Sequence, residues 1–535
     1  MPRSGETHSL LAPFQVPIFR GLWAGNVLST IGGYVNDVAA AWLMTSLSAS
    51  PLMVSLIQVA ANLPFFLLSL PGGALGDVVD RRKLLLITQI WMMALSVALG
   101  VFTLMGLMTP VVLLLITFMV EVADALGSPA WQAVIPEIVG PTDMRAAITL
   151  NSVGINVARA IGPALGGLLI VLARSSAPSF LINAGSFSLV IVVLWRWKSR
   201  TTAGGLPAER LMGAMRVGIR YVRYAPRFRA TLVRIGAFAF FSSAVAALLP
   251  VVARTGLHRG PGAYGILLGF MGLGAVGSVP ILERVRGRIK VDVLLGIATV
   301  LAGGVELSLG NVRLFPILCG MMLIAGVSWV TMMSFLNNAA QSDLPSWVRA
   351  RAMSVYLLVF FGALAAGSAV WGMMASRLGT PEALTVAALG MFGSLLLIPR
   401  FRVISHEKLD LTPSLHWAAP VVVQPAGDER GPVLVTVEYH VKKEQADDFL
   451  KLMKRMRLQR LRTGAFQWGL FNDAADSTRY IETFLSESWT EHMRQHARIT
   501  KADQEIEKAV MSLLPGTIAP VVTHLIHCDM KTRID

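Results

Sequence analysis

Charge is scarce in this chain. Only 15% of its 535 residues are Asp, Glu, Lys or Arg, whereas a soluble globular protein carries about 25%. Cysteine is nearly absent: Cys319 and Cys528 stand far apart in different kinds of segment, which excludes a disulfide scaffold and offers no zinc spacing. What fills the space is apolar. Hydrophobic residues make up 54% of the chain, and mean hydropathy is +0.60. These values exclude a wholly soluble protein and a disordered one. The 48 Gly and 25 Met suit helices packed closely in lipid.

The charge that exists is unevenly placed. Residues 403–535 hold 17 Lys+Arg and 18 Asp+Glu, leaving 30 basic and 14 acidic residues in 1–402. Seven of the nine His lie after 402, and 43 of the 48 Gly lie before it. The chain therefore reads as a long, apolar, basic part joined near residue 403 to an ordinary soluble domain.

A bilayer core of about 30 Å needs about 20 apolar residues per helix. The sequence predicts twelve such spans, near 19–46, 52–76, 84–107, 110–136, 146–173, 179–197, 232–254, 262–283, 290–310, 314–338, 350–376 and 382–400. The first is too long for a cleaved signal peptide and lacks a small-residue cleavage site. With the N-terminus inside, inner segments carry 24 Lys/Arg, and outer loops carry only Arg174, Arg254, Arg259, Arg313 and Arg377. That asymmetry predicts a multi-pass membrane protein with both termini and the soluble domain in the cytoplasm. The basic excess is thus a topology signal; the partner it implies is the lipid bilayer, and no nucleic acid.

The organisation that follows is an N-terminal six-helix half (1–197), a cytoplasmic amphipathic linker (198–231), a C-terminal six-helix half (232–402), a polar linker (403–431) and a soluble domain (432–530). The first linker sets Leu211, Met212, Met215, Val217, Ile219 and Val222 among Arg210, Arg216, Arg220 and Arg223, which reads as a basic helix on the anionic inner leaflet. The halves repeat weakly: PTDMRAAITL at 141–150 matches PSWVRARAMS at 345–354. Two parallel six-helix halves with a site between them describe a secondary transporter.

GGALGDVVDRRK at 72–83 resembles the Gly-x-x-x-Asp-Arg-x-Gly-Arg-Arg loop of the major facilitator superfamily through Gly73, Asp77, Arg81 and Arg82. Val78 and Asp80 depart from it. Asp77 at the membrane edge can cap a helix N-terminus, and Arg81 and Arg82 can hold inner carboxylates such as Glu137 or Asp143; the plain alternative is a positive-inside loop. Gly162, Pro163, Gly166 and Gly167 resemble the Gly-Pro-x-x-Gly-Gly motif of proton-coupled drug exporters in that superfamily, which marks antiporters. The alternative is ordinary packing glycines. FRGLWAGNVLSTIGGYVNDVAAAWL, SPLMVSLIQVAANLP and SPAWQAVIPEIVGPTDMRAAITLNS are similar to the branch containing the bacterial enterobactin exporter and transmembrane secretion effectors. The resemblance covers about 19–402. Many drug exporters carry an Arg inside the fourth span; this chain has Glu121 and Asp124 there instead.

Charges inside spans cost roughly 2.5–3.5 kcal/mol on insertion scales and are functional candidates. Asp37, Glu121, Asp124 and Arg159 are the proton-coupling candidates. Glu121 and Asp124 are i,i+3, on one helix face, with Arg159 as the expected counter-charge; a structural ion network is the alternative. Glu306, near the outer end of its span, reads as an interfacial charge. Asn26, Asn36, Asn151 and Asn156 are candidates to line the cavity or to bond between helices.

The tail alternates strand and helix in the order βαββαβ, a ferredoxin-like pattern. With SESWTEHMRQHARIT after the third strand, it is similar to the small dimeric α/β-barrel family containing antibiotic-biosynthesis monooxygenases. That resemblance implies a homodimer contact through the tail. His492 and His496 are i,i+4, but no H-E-x-x-H surrounds them; they read as a solvated helix face, and no metal is expected. His524 and His527 fall on opposite strand faces. No catalytic signature appears. The fold expected is an all-α membrane protein of twelve transmembrane helices plus an α+β soluble domain. The function expected is proton-coupled export of a small molecule such as a siderophore or lipophilic drug, without a cofactor. The rival readings are a membrane-tethered enzyme with a monooxygenase-like tail and an importer of the same fold.

Overall fold

A computed structural model describes residues 11–78, 80–140, 143–197, 211–285, 287–403, 409–417, 431–515 and 520–527. Residues 198–210 of the first linker, 404–408 and 418–430 of the second, and Cys528 lie outside them. The chain forms two compact units: one takes residues up to 211, 232–337 and 354–403, and the other takes 212–231, 338–353 and 404 onward.

The helices of the first half are α1 (Pro17–Leu47), α2 (Pro51–Val78), α3 (Arg81–Leu104), α4 (Pro110–Ile138), α5 (Met144–Ala173) and α6 (Ala177–Arg196). Then come α7 (Leu211–Tyr224), α8 (Pro226–Val251), α9 (Pro261–Val285), α10 (Val291–Asn311), α11 (Phe315–Ser342), α12 (Ser346–Leu378) and α13 (Thr380–Gly393). Their ends follow from local chemistry. Proline, whose missing N–H costs nothing in a first turn, opens α1, α2, α4, α8 and α9. Asp80 accepts from the Lys83 N–H at 3.0 Å and caps α3; Thr109 caps α4 through Val112 N–H. Arg174, at φ 52°, turns the chain out of α5.

Among the described residues, eleven helices are long and apolar enough to cross a membrane. α1 is long enough at 31 residues but is not one of the eleven. Asn26, Thr30, Asn36 and Asp37 dilute its hydropathy. Large apolar side chains face outward on these helices, among them Leu172 (72% exposed) and Trp195 (71%). A water-facing surface would not tolerate so broad a band, whereas a hydrocarbon phase does. α1 packs on α5 and α6, α2 on α4, α3 on α6, and α5 on α9.

The second unit is built on a four-stranded antiparallel sheet of β1 (Val433–His440), β2 (Gln467–Asn472), β3 (Arg479–Ser486) and β4 (Val521–Ile526), in the order β2-β3-β1-β4. Alternation buries Val433, Val435, Val437 and Tyr439 of β1 against α14 (Ala446–Thr463). The stretch expected as one second helix is two, α15 (Trp489–Arg498) and α16 (Lys501–Met511). Ile499 is extended, and Thr500 and Asp503 form a capping box that starts α16 afresh. Capping of this kind outweighs continuity of the helical pattern.

Two segments read as linkers pack into this unit. In α7, Tyr221 is buried and its hydroxyl donates to the Asp343 carbonyl at 3.2 Å. Arg220 pairs with Glu491 at 2.9 Å. Part of the basic helix thus turns to protein. In the second linker, Ser414 N–H donates to the Ile499 carbonyl at 2.9 Å, and Trp417 Nε1 donates to Glu507 at 2.9 Å.

Candidate substrate cavity, inner loop and histidine cluster

A cavity of about 340 Å³ lies within the membrane unit. Both six-helix halves line it. Tyr34 and Asp37 come from α1, Gln58 and Asn62 from α2, and Arg159 and Pro163 from α5. Facing them are Phe238 and Ser242 of α8, Tyr264 of α9, Glu306 of α10, Trp329 of α11 and Ser368 of α12. The wall is mostly apolar with a few polar groups, as in small-molecule sites generally.

Two of the four charged candidates, Asp37 and Arg159, line this cavity. Arg159 Nε donates to Tyr34 Oη at 3.1 Å. Glu121 and Asp124 are not in the lining; their charges act on one another and on Asp37. The carboxylate group therefore has three members, and Arg159 donates to a phenol. Glu306, expected at the interface, is fully buried, and neither carboxylate oxygen has a hydrogen-bond partner among the described residues. It faces the cavity and the helices packed around it, so it joins the candidates.

The asparagines lie elsewhere. Asn26 Nδ2 donates to Asn151 Oδ1 at 3.0 Å and joins α1 to α5. Asn156 bonds back to the Ser152 carbonyl, and Asn36 is buried outside the lining. Gln58 and Asn62, one turn apart on α2, carry the amides of the cavity instead. Sequence reasoning passed over them because amides within an apolar span carry no charge signal.

The glycine motif of α5 sits where helices touch. A Cβ at Gly162 would stand 2.6 Å from Tyr34 Cβ, and one at Gly166 would stand 3.1 Å from Val35 Cα. At Gly167 it would meet Gly265 Cα at 2.9 Å. The first two hold α5 on α1; the third holds it on α9 of the other half. The halves also join where the α1–α2 turn lies. There Arg254 donates to Thr45 and Ser46 hydroxyls at 3.0 Å each, and Leu52 N–H donates to Ser376 Oγ at 2.9 Å.

In the first turn of α3, Arg81 pairs with Glu137 at the end of α4. Arg82 Nε donates to the Leu194 carbonyl at 2.8 Å and also reaches the Trp195 carbonyl. These carbonyls belong to the last turn of α6, where the helix dipole favours a cation. Gly73 and Asp77 fall in the last turns of α2; their side-chain surroundings lie outside the described residues.

The soluble unit holds a second group of interest. His492 is fully buried, and its Nε2 lies 3.2 Å from Nε2 of His496. The His524 ring centroid is 4.9 Å from that of His492. The expectation of a solvated helix face fails here because α15 packs that face under Trp489 and Trp417. Burial, then the neighbouring His496 and His524, pushes His492 down to about 3. Burial, then His524 and Arg460, pushes His496 down to about 4. Burial lowers His524 as well. All three imidazoles are therefore neutral at physiological pH.

A family profile described as "Transmembrane secretion effector" matches residues 8–532. The chain belongs to the transmembrane secretion effector family. The match to this major facilitator-type transporter family, which is not a family of enzymes, runs through the soluble unit as well as the membrane unit. The chain is 22% identical over 265 residues to the staphyloferrin A transporter of Staphylococcus aureus, covering 49% of this chain and 66% of that one. It is 29% identical to the multidrug efflux pump Tap of Mycolicibacterium fortuitum, covering 42% of this chain and 55% of the pump. It is 22% identical over 392 residues to the enterobactin exporter of Citrobacter koseri, covering 71% of this chain and 91% of that one. Among solved structures, a bacterial homologue of the lysosomal transporter Spinster, inward-facing and occupied, superposes with TM-score 0.56 at 17% identity, covering 73% of this chain and 95% of that one. A POT family transporter in complex with 5-aminolevulinic acid gives TM-score 0.58 at 15% identity, covering 72% and 96%. At such identities the structures speak for the fold alone.

Proposed function

We propose that this secretion effector is a proton-driven exporter of a small molecule, of the siderophore or lipophilic-drug class, in a bacterial inner membrane. The observation that carries the reading is the cavity between the halves, whose mostly apolar lining holds Asp37 and Arg159 from one half and Glu306 from the other. A carboxylate in such a wall holds a proton more readily than in water and gives it up when the wall opens to a more polar side. Aromatic rings of Tyr34, Phe238, Tyr264 and Trp329 suit a flat or apolar cargo. Relatives include siderophore transporters and a drug pump, which agrees with that class.

The finer architecture belongs to the same reading. Counting α1 gives twelve spans, with the termini and the soluble unit in the cytoplasm. The contacts of Arg254 and Leu52 then lie on the outer side, so this conformation is closed outward. The sheet order β2-β3-β1-β4 supports a ferredoxin-like tail of the antibiotic-biosynthesis-monooxygenase type. Its helix-free face shows Phe471 (60% exposed), Val521 (62%) and Leu525 (50%), which favours a homodimer through that face. No cofactor or nucleic acid enters this scheme.

The test is transport in sealed vesicles containing the purified full chain. A candidate siderophore or drug should accumulate against its gradient when a pH gradient is imposed and stop when the gradient is collapsed. Accumulation that persists after collapse would overturn proton coupling.

A further inference from the structure

The histidine cluster of the soluble unit has no part in the transport scheme. We propose that His492, His496 and His524 form a binding site for one divalent transition-metal ion of the zinc class. Spacing i,i+4 puts His492 and His496 on one face of α15, and β4 supplies His524 from the helix-covered face of the sheet. One nitrogen from each residue lies within 4.8 Å of the others.

The spacing suits an ion. Two imidazoles on a tetrahedral zinc, with Zn–N near 2.0–2.1 Å, have their nitrogens about 3.3 Å apart. The His492 and His496 Nε2 atoms stand 3.2 Å apart already. His524, only partly buried, closes the remaining distance by turning its ring. A plain hydrogen bond between His492 and His496 leaves His524 unused.

Chemistry narrows the ion. Three neutral nitrogen donors and no carboxylate select zinc, copper, nickel or cobalt over magnesium or calcium. The guanidinium of Arg460, whose charge acts on His492 and His496, is held by Glu482 at 3.1 Å and Glu507 at 2.7 Å, so its charge is balanced. Trp489, Trp417 and Phe484 wall the cluster. Three protein donors leave one position open, as in sites that exchange ligands.

The position has a consequence. Glu491, the residue before His492, holds Arg220 of α7 at 2.9 Å. An ion that ties α15 to β4 therefore stiffens the element to which the helix between the two six-helix halves is fastened. Metal occupancy becomes a signal read at α7.

The experiment uses the full chain in detergent, purified without a polyhistidine tag and stripped with a chelator. Titration with Co²⁺ should give the visible absorption of a tetrahedral nitrogen site at one ion per chain, and Zn²⁺ should displace it. His496→Gln and His524→Gln should each weaken binding at least about tenfold, the lower end of what even outer partners of a ligand contribute. His527→Gln should leave it unchanged. Failure of the wild-type chain to take up either metal overturns the proposal. So does unchanged affinity in the double variant His496→Gln/His524→Gln. Should the variants unfold, diethyl pyrocarbonate labelling of the wild type decides: bound Zn²⁺ must protect His496 and His524, and equal labelling with and without the ion overturns the site.

Discussion

Gly167 of α5 and Gly265 of α9 meet so closely that a Cβ on either would stand 2.9 Å from the Cα of the other. This backbone-to-backbone contact joins the two halves beside the cavity. A side chain at either position must push the helices apart.

Gly265→Val should therefore lower the thermal stability of this conformation by about 1–3 kcal/mol, the usual cost of overpacking. It should also depress transport. Gly277→Val on the same helix, where a Cβ meets nothing within 4 Å, is the control. Equal melting temperatures for the two variants would show that the contact bears no weight.

Asp37→Asn and Glu306→Gln should each abolish accumulation driven by a pH gradient while leaving exchange down the substrate gradient. Glu121→Gln/Asp124→Asn should do the same if the three-carboxylate group acts as a unit. Proton flux coupled to substrate in vesicles gives the answer. Uphill transport at the wild-type level in the Asp37 and Glu306 variants would move the coupling site elsewhere.

Arg82→Ala should destabilise the membrane unit by about 1–2 kcal/mol, because two carbonyls ending α6 lose a partly buried cation. Arg81→Glu/Glu137→Arg should retain most of its stability, since that pair is partly exposed and is worth about 0–1 kcal/mol. Thermal unfolding in detergent separates the two.

Arg460→Met should destabilise the soluble unit by about 3–5 kcal/mol, since Glu482 and Glu507 would remain buried without their cation. Burial alone would raise Glu507, but Arg460, Trp417 and His416 together hold it below the ordinary carboxylate range. A lowered folded-state pKa gives stability that is present at neutral pH and lost as pH falls through that value. The wild-type tail should thus keep its melting temperature from neutral pH to about pH 5 and lose it below the ordinary glutamate value of about 4.3. Glu507→Gln should flatten that loss. A tail whose stability is unchanged at strongly acid pH would contradict the network.

Much was legible because it rests on local chemistry. The spans stand out because lipid demands unbroken apolar runs. Gly162, Gly166 and Gly167 could be recognised as a contact stripe, because small side chains at helical spacing have little other use. Arg81 and Arg82 read as partners for inner carboxylates such as Glu137 or Asp143, and Arg81 takes Glu137. The identity of the cavity wall was not legible. Gln58, Asn62 and Glu306 acquire their role only from helices distant in sequence, and Asn26 and Asn151 take the other role open to them, a bond between helices.

The sequence by itself determined the membrane class, the helical periods and the break between apolar and soluble parts, since each depends on composition within one segment. Tertiary structure alone decided which polar groups share a space. His492 and His496 read as water-facing until α15 is laid under Trp417 and beside His524, and α7 reads as a lipid-bound helix until Arg220 finds Glu491. Burial is a property of what packs on a residue, and no local pattern records its partner across 271 positions of chain.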